Sequence, residues 1–242
     1  MPSDYIVNCG ACWAIVSIQN TESMMLIETR KYTPLSAQQL TDCCSRSGFS
    51  WDAFQYMVEN GLTCAQDYPL NNDKIPQGPC MAAGKPIALH VQGWEKFQGV
   101  DHYWKAGIEL PRSVEDVFEE ALFKSPLDVF FHTNDFFENF KGKFIIKYHQ
   151  CPPPKNSRGC NHRVSLVGFG CDKKRNRCWI IQNVWGPGWG DKGFAKIRRG
   201  TFRGFGNEKS LLFCKYNSMG LEMRRRSSSK QPILPLLSLF LC

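Results

Sequence analysis

Cys9-Gly10-Ala11-Cys12-Trp13-Ala14 is the stretch of sequence that says most about the fold. It puts a thiol at the start of an apolar-periodic segment that runs to about Lys31 with no proline or glycine after Gly10, the pattern of a buried helix. A helix N-terminus carries unpaired N–H groups and about half a positive charge, which favours the thiolate form of a cysteine placed there. Cys12 is therefore the candidate nucleophile.

Further ordered motifs lie downstream of this stretch: Leu35-Ser36-Ala37-Gln38-Gln39-Leu40-Thr41-Asp42-Cys43, Asp67-Tyr68-Pro69, Asn161-His162-Arg163-Val164-Ser165-Leu166-Val167-Gly168-Phe169-Gly170 and Trp179-Ile180-Ile181-Gln182-Asn183-Val184-Trp185-Gly186-Pro187-Gly188-Trp189-Gly190. Together with the first stretch they resemble the motifs of the papain family of cysteine peptidases, in which a Cys-Gly-Ser/Ala-Cys-Trp segment is followed by a histidine and an asparagine. Here those residues are His162 and Asn183, which lie 150 and 171 positions after Cys12. The matching motifs span roughly residues 8 to 216.

The resemblance implies a catalytic role for each matching residue. Cys12 would form a thioester with the substrate, His162 would act as general acid and base, and Asn183 would orient the imidazole. Trp185 would shield the bond between the histidine and the asparagine from water. No cofactor is required for this chemistry, and the expected activity is that of a cysteine endopeptidase.

The resemblance also implies a substrate cleft that takes peptides or proteins. Gly48 would supply the backbone edge that binds the substrate main chain, and the specificity pocket would lie around Ser50, Cys160 and Asn161. Because Asn161 carries no charge, an apolar substrate side chain is the expected preference. Cystatin-like proteins are the expected inhibitors, and a monomer is the expected state.

Three positions depart from the family pattern. Ile6 stands where the family has the glutamine of the oxyanion hole, and losing one such donor typically costs about 10²–10³ in turnover. Arg163 replaces a small residue after the histidine, where a like charge could oppose an imidazolium or crowd the strand. Val184 replaces a serine after the asparagine. The family's glycine-rich segment is also shortened here to residues 43–48. Ile6, Arg163 and this shortened segment leave an alternative open, a catalytically inactive member of the family that binds peptides or proteins in its cleft.

Charge and hydropathy narrow the classes of partner. The net charge is +8. Half of it comes from the part after residue 214, which contains five basic residues and one acidic residue. No nucleic-acid motif accompanies the basic residues, so we predict no nucleic-acid partner and a solvated tail. The apolar run 233–242 is far shorter than the roughly 20 residues that a membrane span needs. We therefore predict no transmembrane segment.

Cysteine usage indicates disulfides. Twelve cysteines are spread along the chain, which favours an oxidising compartment. Cys9-x-x-Cys12 has the spacing of a redox pair or of half a zinc site, but no second close pair accompanies it, so we predict no metal. By resemblance Cys43 would pair with Cys80, and Cys9 with Cys44. The family also implies an extracellular, lysosomal or vacuolar location, although residues 1–7 show no apolar signal core.

The elements predicted along the chain define an α+β, two-lobed fold. Residues 1–216 form the peptidase domain, with a helical lobe at about 8–110, a β-rich lobe at about 111–214 and a disordered tail at 217–242. Helices are predicted over 12–31, after a Ser36 cap, from a Ser50 cap to Asn60-Gly61, and over 113–124, with loops over 63–107. Strands are predicted at 127–132, 144–148, 164–170, 179–183 and 193–198, as an antiparallel sheet or barrel. The site would lie in the cleft between the lobes.

Overall fold

The computed structural model describes residues 10–44, 49–71, 77–96, 112–131, 133–151, 162–200 and 212–216. Helices dominate the first part of the chain and strands the second, which confirms the predicted α+β class. The helices are α1 (Cys12–Thr29), α2 (Ala37–Cys43), α3 (Ser50–Asn60), α4 (Arg112–Leu122) and the single turn α5 (Asp135–Glu138). The predicted tail at 217–242 lies outside the described residues, and the domain bounds stay a prediction.

Helix α1 is buried on almost every side, although its middle is polar. It begins at Cys12 and ends when Arg30 adopts a left-handed conformation with φ 59°, two residues before the predicted end. The hydroxyls of Ser17 and Thr21 each donate to the carbonyl one turn earlier, at 2.8 Å, so they need no external partner. The helix can therefore carry polar side chains through the protein interior.

Helices α2 and α3 begin in different ways. Ser36 caps α2 as predicted, because its hydroxyl accepts the backbone N–H of Gln39 at 3.0 Å. Ser50 was expected to cap α3, and this was wrong: it is already the first helical residue, and its hydroxyl donates instead to the carbonyl of Trp13 at 3.2 Å. Helix α3 ends as predicted at Gly61, whose φ of 71° favours glycine.

The sheet has seven described strands in the order β1-β7-β2-β4-β5-β6-β3, all antiparallel neighbours except the parallel pair of β3 and β6. The strands are β1 (Val91–Lys96), β2 (Leu127–Phe131), β3 (Ile145–Ile146), β4 (His162–Cys171), β5 (Arg177–Gln182), β6 (Phe194–Arg198) and β7 (Leu212–Tyr216). Two predictions were wrong here. The 63–107 region is not all loop, since β1 lies in it, and the strand expected at 144–148 is only two residues long.

Two separate hydrophobic cores correspond to the two parts of the chain. The first is built from α1, α2, α3 and the segment that leads into β1, and it contains Phe54, Met57 and Leu62. The second lies between the sheet and helices α4 and α5, and it contains Trp179 and Phe137. A small third cluster joins them, because it combines the start of α1 with the residue after Asn183. The candidate catalytic residues lie around this junction.

One predicted disulfide is confirmed: Cys43 and Cys80 are bonded, with 4.6 Å between their Cα atoms. The suggested pairing of Cys9 with Cys44 involves a residue outside the described ranges. Among the described residues, no helix is long and apolar enough to cross a membrane. Within the same ranges, no three His, Cys, Asp or Glu side chains come together as a metal site.

Candidate active site

His162 and Asn183 meet at the end of the sheet. His162 is the first residue of β4, and Asn183 follows directly after β5, the strand paired with β4. The backbone N–H of Asn183 donates to the carbonyl of Gly193 at 2.9 Å, which holds this residue beside the sheet. The imidazole Nε2 lies 2.7 Å from the Asn183 Oδ1, and both side chains are buried.

The orientation of the Asn183 amide fixes the tautomer of His162. The backbone N–H of Val184 donates to Oδ1 at 2.8 Å, so Oδ1 rather than the NH₂ group faces the histidine. A carbonyl oxygen only accepts, and therefore His162 Nε2 must carry the proton and donate it. In the neutral ring this leaves Nδ1 with its lone pair, as a base requires. The contact uses only the backbone of Val184, so the absence of a serine side chain does not affect it.

Trp185 covers this hydrogen bond with an aromatic surface. Its ring stacks on the imidazole with centroids 4.5 Å apart and an interplanar angle of 26°. The indole is itself held by Phe137 and Trp189, whose ring centroids lie 5.7 and 5.9 Å away. Burial under these rings lowers the pKa of His162 to about 4, although the hydrogen bond to Asn183 acts in the opposite direction. With Cys12 as an uncharged thiol, this pKa favours the neutral imidazole at neutral pH.

Cys12 is the first residue of α1 and lies close to the residue that follows Asn183. It is half-buried and packs, as Trp185 does, against the junction cluster of Ala11, Ile15, Val16 and Val184. The first N–H groups of α1 have no partner within the helix, which gives this end a positive electrostatic potential. The structure thus places Cys12 in one cluster with Val184 and Trp185, the two residues that follow Asn183.

Arg163 does not carry an uncompensated charge beside His162. Neighbouring residues of a strand point to opposite faces, and Arg163 lies on the face of β4 that meets α1 and α3. Its Nη1 lies 2.7 Å from the Oδ1 of Asp128 on β2, and the two side chains are 1% and 0% exposed. Burial raises the pKa of Asp128, and the charge of Arg163 acts in the opposite direction.

The four predicted substrate-binding residues differ in what the structure says of them. Gly48, Cys160 and Asn161 lie outside the described residues, as does Ile6. Ser50 is described: its side chain is fully buried and its hydroxyl donates to the carbonyl of Trp13, so in this structure it offers no surface to a ligand.

Sequence reasoning missed two buried polar side chains near the site. Gln19 of α1 donates through Nε2 to the carbonyl of Asn183 at 3.3 Å, and its Oε1 accepts from the hydroxyl of Ser165 on β4 at 3.2 Å. Asp128, the partner of Arg163, was also missed. For Gln19 the available signal was the run of polar residues inside the otherwise apolar segment of α1, because buried polar side chains usually have hydrogen-bond partners.

Comparison with known proteins agrees with this geometry. Residues 4–214 match the family model described as papain family cysteine protease. A cysteine protease of Blomia tropicalis is 29% identical over 206 residues, which cover 80% of this chain and 56% of the relative. Ananain of Ananas comosus is 28% identical over 204 residues, 82% of this chain and 52% of the relative. The chain thus spans about half the length of the curated relatives it matches.

Solved structures of cysteine proteases are also similar to this chain. The bromelain protease of Ananas comosus in complex with the E64 inhibitor has a TM-score of 0.69 and 26% identity, covering 87% of this chain and 91% of that chain. A cysteine protease of Carica candamarcensis in complex with E-64 also has a TM-score of 0.69 and 26% identity, with coverage of 90% and 93%.

Proposed function

Because the chain belongs to the papain family of cysteine proteases, we propose that it is a cysteine-type peptidase that hydrolyses peptide bonds through a thioester on Cys12. The observation that carries this proposal is the 2.7 Å contact between His162 Nε2 and an Asn183 amide whose orientation is fixed by Val184. That arrangement leaves the imidazole Nδ1 as a base at the junction where Cys12 lies.

The reaction then proceeds in two stages. His162 Nδ1 takes the proton of the Cys12 thiol, and the sulfur attacks the carbonyl carbon of the scissile peptide bond. The imidazolium next gives that proton to the leaving amine, so the C–N bond breaks and the acyl group stays on sulfur. In the second stage His162 takes a proton from water, the hydroxide attacks the thioester, and the proton returns to sulfur as the acid product leaves.

The environment of the histidine sets a condition on the first proton transfer. With a pKa near 4, the isolated imidazole holds a proton only weakly at neutral pH. The imidazolium therefore forms only when the thiolate supplies a compensating charge, and the positive end of α1 stabilises that thiolate. Asn183 supports the same step, since its carbonyl oxygen bonds the N–H of a charged ring more strongly than that of a neutral ring.

Turnover should be slow because Ile6 stands at the oxyanion position. The backbone N–H of Cys12 remains as one donor for the developing oxyanion, and an isoleucine side chain supplies none. Loss of one donor lowers turnover about 10²–10³-fold, so we expect acylation to be the slowed step. The alternative function, peptide or protein binding in the cleft without hydrolysis, is favoured by the same Ile6 together with the low pKa of His162.

The remaining properties follow from the family. Peptides or proteins are the substrates we propose, cystatin-like proteins the inhibitors, and a monomer the working state. An extracellular, lysosomal or vacuolar compartment is supported by the Cys43–Cys80 disulfide, since disulfides persist in oxidising surroundings.

The test is covalent labelling with E-64, an epoxide that reacts with the activated thiol of papain-like enzymes. Wild-type protein, Cys12→Ala and Cys64→Ala are each treated, and the adduct is measured by intact mass. Cys64 is the matched control, because it is likewise a half-buried thiol outside any disulfide. We expect an adduct on wild type and Cys64→Ala but none on Cys12→Ala. If the wild-type protein is folded but takes up no adduct, the peptidase proposal is wrong and the alternative, peptide or protein binding without hydrolysis, is supported.

A further inference from the structure

A buried side chain of α1 bonds to both of the elements that carry the other candidate catalytic residues. Gln19 donates through Nε2 to the backbone carbonyl of Asn183 at 3.3 Å. Its Oε1 accepts, at 3.2 Å, from the hydroxyl of Ser165, which lies on the strand that begins at His162. One amide group therefore links α1 to β4 and to the residue after β5.

Gln19 and Cys12 lie on the same face of α1. They are seven residues apart, which is close to two full turns of an α-helix. Ile15 and Val16 lie between them on this face, and both belong to one hydrophobic cluster with Val184. The face that carries the candidate nucleophile is thus held near the end of β5 at two levels, by apolar packing close to its start and by the glutamine further along.

The partners of Gln19 fix the orientation of its amide and are themselves fixed. A backbone carbonyl only accepts, so Nε2 must face Asn183, and Oε1 then faces Ser165, whose hydroxyl can donate. Ser165 is paired with Gln182 in the sheet, and the N–H of Asn183 is bonded to the carbonyl of Gly193. A shift or rotation of α1 would therefore distort both bonds of the glutamine.

These two bonds are better suited to setting a position than to stabilising the fold. The side chains of Gln19, Ser165 and Asn183 are no more than 3% exposed. Their hydrogen bonds replace bonds to water in the unfolded chain, so the net gain in stability is small. Hydrogen bonds weaken steeply when their angle changes, whereas apolar packing has no preferred direction. The glutamine thus supplies a directional contact that an apolar side chain would lack.

We propose that Gln19 is a positioning residue that sets the place of the Cys12 thiol relative to the imidazole of His162. The proposal rests on the proposed function for the roles of Cys12 and His162. The two bonds of Gln19 go to the Asn183 main chain and to Ser165 rather than to the reacting atoms, so it acts through the backbones of α1 and β4. Its loss should make the thiol and the imidazole meet less often without unfolding the protein.

The distance between thiol and imidazole can be tested by cross-linking, without reference to turnover. Treatment with 1,3-dibromoacetone at about pH 9, where an ordinary thiol is already largely ionised, alkylates Cys12 first. The second carbon then alkylates an imidazole within reach, and each alkylation releases bromide. Mass spectrometry of the digested protein distinguishes the Cys12 peptide bridged to the His162 peptide, which has lost both bromines, from the single adduct, which keeps one.

Gln19→Met is the informative variant, because methionine has a similar length but cannot donate a hydrogen bond and accepts one only weakly. We expect the ratio of bridged to single adduct to fall about fivefold, the factor that one ordinary net hydrogen bond carries. Gln39→Met is the matched control. Gln39 is equally buried, and its bonds to Thr63 and Tyr56 stay within the helical part of the fold. The ratio for this control should equal that of wild type.

Adding Ser165→Ala to Gln19→Met separates positioning from stability. The second substitution removes the buried hydroxyl that has lost its acceptor, so the stability to urea should recover in part. The bridged ratio should stay at the value of Gln19→Met, because the Asn183 carbonyl still lacks its donor. A ratio that recovers together with stability would mean that Gln19 only stabilises the fold, and the proposal would be wrong.

The pH dependence of Cys12 alkylation by iodoacetamide gives an independent readout. A thiolate beside an imidazole and a helix N-terminus forms below the pKa of an ordinary thiol, about 8.5. Gln19→Met should raise the midpoint towards that value, and Gln39→Met should leave it as in wild type. A Gln19→Met protein that is folded by circular dichroism and keeps the wild-type ratio and midpoint overturns the proposal. A wild type that forms no bridge overturns it too.

Peptide hydrolysis by wild type, measured in parallel, keeps the two proposals apart. Hydrolysis together with an unchanged bridged ratio in Gln19→Met removes only the positioning role. A clear fall in the ratio without hydrolysis by wild type supports the positioning role and removes only the peptidase function. Should Gln19→Met fail to fold, Ser165→Ala alone decides the question, because it removes one of the two bonds and little volume. A ratio below that of wild type then supports the proposal, and an unchanged ratio overturns it.

Discussion

Acid should destabilise the folded protein through His162, and the size of the effect follows from the burial of this side chain. Burial lowers its pKa to about 4 in the folded protein, against an ordinary value of about 6.5, with the bond to Asn183 acting in the opposite sense. Between these values the unfolded chain binds a proton that the folded chain does not. Unfolding therefore becomes more favourable as the pH falls, by about 2.5 kcal/mol between about pH 7.5 and about pH 4.5.

The assay is urea unfolding across this pH range, with His162→Gln compared against the parent. Both proteins also carry Cys12→Ala, because a thiolate beside the imidazole would raise its pKa. All other groups titrate in both proteins, so the difference in the free energy of unfolding isolates the histidine. We expect the parent to lose about 2.5 kcal/mol more than His162→Gln on acidification. Parallel pH curves for the two proteins would refute the reasoning.

Three further predictions concern other described residues. Burial raises the pKa of Glu22 to about 7, so the wild type loses stability as the pH rises from about 4.5 to 7. Above pH 7, Glu22→Gln should be up to about 3 kcal/mol more stable to unfolding than wild type. Equal stability of the two proteins above pH 7 would contradict this. Asn183→Ala leaves the Val184 N–H and the imidazole N–H without their acceptor. In urea unfolding we expect a loss of about 1–3 kcal/mol for each of these buried groups, and we expect slower E-64 labelling. Unchanged labelling would show that Asn183 does not orient the imidazole. The double variant Cys43→Ala, Cys80→Ala removes the disulfide between residues 37 positions apart. The loop-closure entropy predicts a loss of about 4 kcal/mol in the free energy of unfolding. A loss below about 1 kcal/mol would indicate a compact unfolded state.

The sequence predicts best the elements whose signals are local. Helix α1 follows from an apolar-periodic segment without proline or glycine, and β4 and β5 from β-branched and aromatic runs bounded by turns. Strand β1 could not be found in this way, because it is defined by pairing with β7, more than 100 residues later in the chain. Ser50 was assigned to the wrong role for a related reason: its hydroxyl is used in a tertiary contact with Trp13 rather than in a helix cap.

The same distinction applies to the candidate site. Cys12, His162 and Asn183 were named because each stands in an ordered motif, and the structure brings the elements that carry them together. Arg163 was noticed only as a departure from the family. The motif gave no indication that Asp128, 35 residues earlier, would neutralise its charge across two strands. A buried ion pair is a property of the packed fold, so its two members cannot be matched from their positions in the chain.

The measurement that tests the central claim most directly is the hydrolysis of a fluorogenic peptide library by wild type, Cys12→Ala and Ile6→Gln. We predict slow turnover by wild type, none by Cys12→Ala, and about 10²-fold faster turnover by Ile6→Gln, which restores the second oxyanion donor. The absence of any turnover that depends on Cys12, in both wild type and Ile6→Gln, would contradict the claim that this chain is a peptidase.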